Sequence, residues 1–127
     1  MSTRTIISTE KASAPTVPLS QAVKVGNLLF VSGTTPFKPG GREMAPDFEG
    51  QMKQVMANIG AILEAAGTSF DRVAKCNVFL TDIKNFQKMN EIYKTYFKPG
   101  NFPARTTVEV KMAVPNMMLE IECVAEV

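Results

Sequence analysis

The chain has 127 residues, with 14 Lys and Arg against 12 Asp and Glu, a formal net charge of +2 and no histidine. This length suffices to bury a hydrophobic core, and we expect a single domain over residues 1–127. The small net charge does not indicate a nucleic-acid partner. The absence of histidine excludes Ser-His-Asp and Cys-His catalysis and histidine-ligated metal sites, and we expect no metal.

Cysteine usage and hydropathy indicate the compartment. Cys76 and Cys123 lie far apart in apolar, strand-like segments, and we expect both to be buried reduced thiols. A disulfide would need an oxidising compartment, which no sequence feature indicates. The first residues lead into no apolar signal core, and no segment approaches the length of a membrane span. The sequence therefore predicts a cytoplasmic protein without a membrane partner.

Three strands are predicted in the first third of the chain, over residues 5–8, 22–25 and 28–33. The second and third flank Gly26-Asn27, which is typical of a turn, so they form a hairpin. Residues 11–20 and 36–46 are rich in Pro, Gly, Ala and Ser and are expected to be loops.

A helix after Pro46 is the clearest element. Asp47 can cap its start, and Gly67 stands where a left-handed C-terminal cap belongs. Between them, apolar residues recur every three or four positions and form one stripe, which we expect to face the core.

The second half predicts a strand over 72–80, a second helix that ends before Pro99-Gly100, and strands over about 104–110 and 117–126. In the first of these strands the residues expected on one face are Ala74, Cys76, Val78 and Leu80. Asp82 or Asn85 caps the second helix. The order β-β-β-α-β-α-β-β favours an α+β fold, a mixed six-stranded sheet with two helices on one face.

The other face of such a sheet also needs cover. The third strand contains the continuous apolar run Leu28-Leu29-Phe30-Val31, which is typical of a strand buried on both sides. Because the helices cover one face only, a copy of the same chain is the simplest cover for the other. We therefore expect a homo-oligomer.

Arg105 is the strongest candidate for binding a small anion. It follows Pro103 and precedes Thr106, Thr107 and Val108, so its guanidinium is mounted on a stiff β-branched strand. The planar fork of arginine matches the two oxygens of a carboxylate. The alternative interpretation is an ion-paired surface arginine.

Glu120 and Glu122 lie in an apolar strand and face the same side of it by alternation. A partly desolvated glutamate can act as a base that positions water, whereas pairing with a lysine is the alternative. Ser32 and Gly33 end the third strand, where a hydroxyl and backbone N–H groups can donate to a ligand carboxylate. A plain strand end is the alternative there, and the register between Arg105 and Glu120 is left open.

Taken together, these residues resemble the RidA (YjgF-type) family of enamine/imine deaminases. The resemblance extends over residues 6–124 and is carried by Val31-Ser32-Gly33, Asn90-x-x-Tyr93, Pro103-Ala104-Arg105 and Leu119-Glu120-Ile121-Glu122. It implies a chorismate-mutase-like fold assembled as a homotrimer, with sites in the clefts between subunits. It also implies hydrolysis of 2-aminoacrylate and related 2-imino acids to 2-oxo acids and ammonia, without metal or organic cofactor.

Carried over onto this chain, the resemblance makes Arg105 the residue that binds the substrate carboxylate and Glu120 the residue that orients the attacking water. Ser32 and the Gly33 backbone would line the pocket, and Asn90 would support it. Such chemistry needs no histidine, because an iminium carbon is already electrophilic and holding both reactants together supplies much of the rate.

Two positions in the candidate pocket depart from the family pattern. Leu19, in Val17-Pro18-Leu19-Ser20-Gln21, replaces a pocket tyrosine, and Thr107 stands where many members have a cysteine. The loss of the tyrosine favours either a bulkier or more apolar substrate, such as a 2-aminomuconate-type intermediate, or a weaker deaminase. A small-carboxylate-binding regulatory trimer with little or no turnover is therefore an alternative function. A ribonuclease-like role is another, against which the near-neutral charge and the absence of histidine argue.

Overall fold

Residues 4–127 are described in the computed structural model. Their strands are β1 (Thr5–Ile7), β2 (Ala22–Val25), β3 (Leu28–Thr34), β4 (Val73–Leu80), β5 (Ala104–Glu109) and β6 (Leu119–Glu126). The helices are α1 (Phe48–Ala65) and α2 (Phe86–Tyr93), with short 3-10 turns at Phe70–Arg72, Ile83–Asn85 and Lys94–Tyr96. The predicted fold class is confirmed. Neither helix of this part of the chain is long and apolar enough to cross a membrane.

The strands form one mixed sheet in the order β1-β2-β3-β6-β4-β5. β4 and β5 run parallel, and every other neighbouring pair runs antiparallel. The parallel pair needs a crossover connection, which α2 supplies. This arrangement leaves β5 at the edge of the sheet, where one side of its backbone has no neighbouring strand within residues 4–127.

Helix α1 begins and ends at the predicted caps. The Asp47 carboxylate accepts a hydrogen bond from the Gly50 N–H at 3.4 Å, and Gly67 has a φ of +80° just beyond the C-terminus. The predicted apolar stripe is buried, with Met52, Val55, Met56, Ile59, Ile62 and Leu63 in the core. For the second helix, Asp82 caps the preceding 3-10 turn instead, accepting from the Lys84 N–H at 2.9 Å.

Side chains of the central strands alternate between a face covered by the helices and an open face. The covered face includes Leu29 and Val31 of β3 and Leu119, Ile121 and Cys123 of β6, which join one core cluster with residues of α1 and α2. Both cysteines are buried and free, as predicted.

One predicted core position is wrong. The alternation along β4 places Ala74 on the covered face, but Ala74 is exposed and Val73 is buried. Val73 pairs with Ala125 and Lys75 with Val124, so the register against β6 shifts between them. This irregularity turns Ala74 outward, and the predicted alternation resumes at Cys76.

The open face of the sheet carries an apolar patch. Five large side chains on this face are 37–56% exposed: Ile6, Val25, Leu28, Phe30 and Val108. The cross-strand pairs Ile6–Val23, Val23–Phe30 and Val25–Leu28 group the first four across β1, β2 and β3, whereas Val108 lies on β5 at the other end of the sheet. An open-face patch of this kind is typical of a surface that associates with another protein.

Asn58 of α1 holds the loop that follows β3. The side chain is fully buried, and its Nδ2 donates to the Thr35 carbonyl at 3.0 Å and to the Phe37 carbonyl at 2.9 Å. Because a buried carbonyl needs a donor, this amide holds the loop at two points.

We expect Asn58→Ala to lower the free energy of unfolding by about 2–3 kcal/mol, because two carbonyls lose their donor. Urea denaturation followed by circular dichroism measures this change. Lys53→Ala is the matched control on the exposed side of α1, where a surface ion pair with Glu49 is worth less than about 1 kcal/mol. Equal losses in the two variants would contradict the role given to the amide.

Candidate active site

A cavity of about 390 Å³ lies beside the end of β3. Its walls come from residues 13–19, from the end of β3 and the loop after it, from residues 112–117, and from Glu120 of β6. Four of the residues singled out from the sequence line it: Leu19, Ser32, Gly33 and Glu120.

Glu120 and Gly33 lie in direct contact. A Cβ atom at position 33 would collide with Glu120 Oε1, so only glycine allows the carboxylate to lie against the β3 backbone. The pairing of β3 with β6 also shifts register between Val31 and Thr34, so the ladder is irregular at Ser32 and Gly33. This segment therefore presents backbone and carboxylate together at the cavity wall.

Ser32 connects β3 to the loop before β2. Its Oγ donates to the Ser20 carbonyl at 2.6 Å, and its N–H donates to the Gln21 carbonyl at 3.0 Å. Both donors of Ser32 are therefore engaged within the chain. Its hydroxyl oxygen keeps lone pairs that can accept from a ligand.

Glu120 is the acidic residue that lines the cavity within residues 4–127. Burial, followed by the negative charge of Glu122, raises the pKa of Glu120 above its ordinary value. Asn77 Nδ2 donates to Glu122 at 3.2 Å, whereas the Glu120 carboxylate accepts no hydrogen bond from residues 4–127. A half-buried carboxylate with free lone pairs is suited to accept a proton from water.

Arg105 lies on the covered face of the sheet, paired with Cys76 of β4. Its guanidinium carbon is 5.0 Å from the ring centre of Tyr93 and 5.7 Å from that of Phe86. Nη1 is 3.9 Å from the sulfur of Met89. None of the ion pairs among residues 4–127 involves Arg105. The half-buried guanidinium is therefore held by rings and a thioether and not by a carboxylate.

The neighbours of the Arg105 guanidinium include two ionisable groups, the Tyr93 phenol and the Cys76 thiol, whose pKa values depart from their ordinary values in opposite directions. Burial, helped by the adjacent Cys76 thiol, raises the pKa of Tyr93 above its ordinary value, so the ring stays a neutral phenol. The thiol of Cys123 lowers the pKa of Cys76, and Tyr93 and Arg105 act in the same direction. Arg105 thus remains the positive centre of this cluster.

Thr107 lies on the same strand as Arg105, and Asn90 lies on α2, the helix whose Phe86, Met89 and Tyr93 contact Arg105. Thr107 follows Arg105 on the same face of β5, and its Oγ1 is buried without a hydrogen-bond partner in the described part of the chain. Asn90 is half-buried on α2, one turn beyond Phe86. Since buried hydroxyls normally have partners, the Thr107 hydroxyl marks a position where a polar group from outside the chain can bind.

The residues singled out from the sequence therefore form two groups. The cavity group consists of Leu19, Ser32, Gly33 and Glu120, and the arginine group consists of Asn90, Arg105 and Thr107. Glu120 and Val108 both pair with Phe79 of β4, so their side chains share one face of the sheet. Val108 is three residues from Arg105 along β5, so the side chains of Arg105 and Glu120 project from opposite faces. One copy of the chain does not bring Arg105 to Glu120.

Part of the cavity wall has no counterpart among the residues singled out from the sequence. Arg42 places its guanidinium carbon 4.4 Å from the centre of the Phe37 ring and donates from Nη1 to Thr16 Oγ1 at 2.8 Å. Residues of the loop at 112–117 also line the cavity. Their segments carry no motif, and only long-range folding brings them together.

Comparisons with known proteins agree with this architecture. Residues 9–127 match the family model described as Endoribonuclease L-PSP. A RutC family protein of Pyrococcus abyssi is 46% identical over 121 residues, which are 94% of this chain and 94% of that protein. A 2-iminobutanoate/2-iminopropanoate deaminase of Mus musculus is 41% identical over 123 residues, or 96% of this chain and 90% of that protein.

A solved structure gives the same result. RidA from the Antarctic bacterium Psychrobacter superposes with a TM-score of 0.92 at 40% identity, covering 97% of this chain and 99% of that one. The chain belongs to the endoribonuclease L-PSP (YjgF/RidA) family, as the resemblance of its motifs indicates.

We expect Glu122→Gln to lower the pKa of Glu120, because the substitution removes a neighbouring negative charge and keeps an acceptor for Asn77. Carboxyl-carbon NMR titration of Glu120 measures the change. Glu126→Gln, further along β6 on the same face, is the matched control and should leave the pKa of Glu120 unchanged. A Glu120 pKa that stays the same in Glu122→Gln would show that burial alone raises it.

Proposed function

We propose that this protein hydrolyses reactive enamine and imine intermediates, namely 2-aminoacrylate and related 2-imino acids, to 2-oxo acids and ammonia. The observation that carries the proposal is the pair of complementary groups: a guanidinium without an ion-pair partner in residues 4–127 and a half-buried glutamate against a glycine at a cavity wall. The name of the mouse relative refers to the same chemistry. We place the activity in the cytoplasm, without a metal or organic cofactor.

In this proposal Arg105 binds the substrate carboxylate. Two parallel N–H groups of the guanidinium donate to the two carboxylate oxygens, which fixes the orientation of the C=N carbon. The rings of Phe86 and Tyr93 hold the plane of the fork. The Thr107 hydroxyl, on the same face of β5, can donate to a substrate oxygen or nitrogen.

Glu120 then activates water. With the imine protonated on nitrogen, the carboxylate accepts a proton as the water oxygen bonds to the C=N carbon, which gives a neutral tetrahedral carbinolamine. The protonated Glu120 returns this proton to nitrogen, and the C–N bond breaks to release ammonia. As the C=O bond forms, the carbinolamine hydroxyl gives its proton to the Glu120 carboxylate, which passes it to the released ammonia to form ammonium. The raised pKa of Glu120 makes the carboxylate a stronger proton acceptor and lets it hold the proton until the nitrogen takes it up. An enamine enters the same route after protonation on its terminal carbon.

We propose that a homotrimer unites the two groups, with each cleft taking the arginine group from one copy and the cavity group from the next. Three observations support association: Arg105 and Glu120 lie on opposite faces, β5 is an edge strand, and the open face carries an apolar patch. A closed ring of identical copies buries such a patch. The partners of the protein are then its own copies and a small carboxylate-bearing substrate.

We expect Arg105→Ala and Glu120→Gln each to lower kcat/KM on 2-iminopropanoate by about a hundredfold, since each removes a charged contact to substrate or water. The imine is generated from alanine by an amino acid oxidase and trapped with semicarbazide, and active protein lowers the initial rate of semicarbazone formation.

Two controls complete this assay. Arg72→Ala, at an exposed arginine outside both groups, should leave kcat/KM unchanged. Isothermal titration with 2-oxobutanoate separates binding from turnover. If the wild-type protein binds the 2-oxo acid through Arg105 and turns over no imine, the protein is a carboxylate-binding regulatory trimer and the hydrolase proposal is wrong.

Mixing the two inactive variants tests whether the site is shared. In trimers reassembled from equal amounts of Arg105→Ala and Glu120→Gln, about a quarter of the clefts combine an intact Arg105 with an intact Glu120. We therefore expect activity to return to about that fraction of wild type. Each variant refolded alone is the control, and a mixture no more active than its components would contradict a site built from two copies.

A further inference from the structure

We infer that the cavity beside Glu120 receives the side chain of the imino acid, and that the preferred substrates carry a bulky, uncharged, apolar side chain. Imines derived from leucine, methionine or phenylalanine have this chemistry. The inference rests on the proposed function, because it names the substrate class of that same site.

The composition of the wall supports an apolar occupant. The larger apolar side chains come from three loops and α1: Val17, Leu19, Phe37, Ile62, Met112, Val114 and Met117. Pockets with such walls and few polar groups favour ligands that bury carbon. A single methylene in an apolar pocket changes kcat/KM by roughly 10- to 200-fold.

The volume also exceeds what a small imine needs. At about 30 Å³ for each water-sized group, a cavity of about 390 Å³ holds roughly a dozen such groups. The methyl side chain of the imine derived from alanine would leave most of this space unfilled, whereas the benzyl side chain of the imine derived from phenylalanine would fill roughly half of it. Wall atoms that face unfilled space lose their dispersion contacts with the substrate.

The polar groups of the cavity are already engaged or face the reacting centre. Gln21 donates to the carbonyls of Thr9 and Ser13 at 3.1 and 2.9 Å. Ser32 is bonded to Ser20. Glu120 is negative when ionised and disfavours a second carboxylate beside it.

Arg42 is the cationic residue that lines the cavity within residues 4–127. Its side chain is exposed, stacks over Phe37 and donates to Thr16, so it lies at the rim and covers an aromatic wall. A guanidinium stacked on a ring shields apolar surface from water. We therefore assign Arg42 to the wall and not to a second carboxylate.

The test compares kcat/KM for imines generated by amino acid oxidases from alanine, leucine, methionine, phenylalanine and glutamate. We expect the leucine, methionine and phenylalanine imines to exceed the alanine imine by about tenfold or more. A preference for the alanine imine overturns the inference and leaves the proposed hydrolase intact. A preference for the glutamate imine also overturns it and assigns Arg42 to a second carboxylate. Turnover of no imine rejects the proposed function itself.

Variants that narrow the cavity locate the side chain. Ala14→Leu and Ala113→Leu each add bulk at the wall and should lower the ratio of kcat/KM for the phenylalanine imine to that for the alanine imine by about tenfold. Both positions are exposed in the chain, so folding should tolerate the change. Ala57→Leu, on the exposed side of α1, is the matched control and should keep the ratio. An unchanged ratio in both wall variants would overturn the placement of the substrate side chain in this cavity.

Discussion

Side chains of a β-strand alternate between the two faces of a sheet, and in this chain that alternation separates a guanidinium from a carboxylate. Arg105 is level with Cys76 and Cys123 on the face under the helices, and Glu120 is level with Phe79 and Val108 on the open face. No rotamer change reverses this arrangement, because the register of three strands determines it. Chemistry that needs both groups must therefore come from association, and the apolar open face is the surface that association can bury.

Two buried side-chain amides of helix α1, those of Gln51 and Asn58, hold the loops that form the cavity walls. Gln51 donates to the carbonyls of Ala45 and Asn116 at 3.0 and 2.9 Å and accepts from the Met118 N–H at 2.8 Å. Asn58 holds the loop after β3 in the same manner. The two irregular walls thus depend on one regular element, and a cavity built from loops acquires a defined shape.

Local chemistry predicts the elements of this fold well. The cap at Asp47, the glycine at position 67 and the apolar stripe between them specify α1 without any tertiary information, and alternation places Glu120 and Glu122 on one face. Local chemistry does not predict how distant strands pair. The irregularity that turns Ala74 outward arises where β4 pairs with β6, which is some fifty residues away in sequence. For the same reason the motif residues are recognisable one by one, whereas their division into two groups, and the contribution of Arg42 and of residues 112–117 to the wall, follow only from long-range packing.

The aromatic support of Arg105 has a consequence for recognition. An arginine neutralised by an internal carboxylate must lose that partner before it can hold an incoming acid, and the exchange yields little net affinity. Here two rings and a thioether orient the fork without satisfying its charge. The free-energy cost of partly dehydrating the cation has already been incurred during folding. In the proposed function, an incoming acid binds this guanidinium without displacing a competing carboxylate, so the whole free energy of the new contact is available to capture a short-lived molecule.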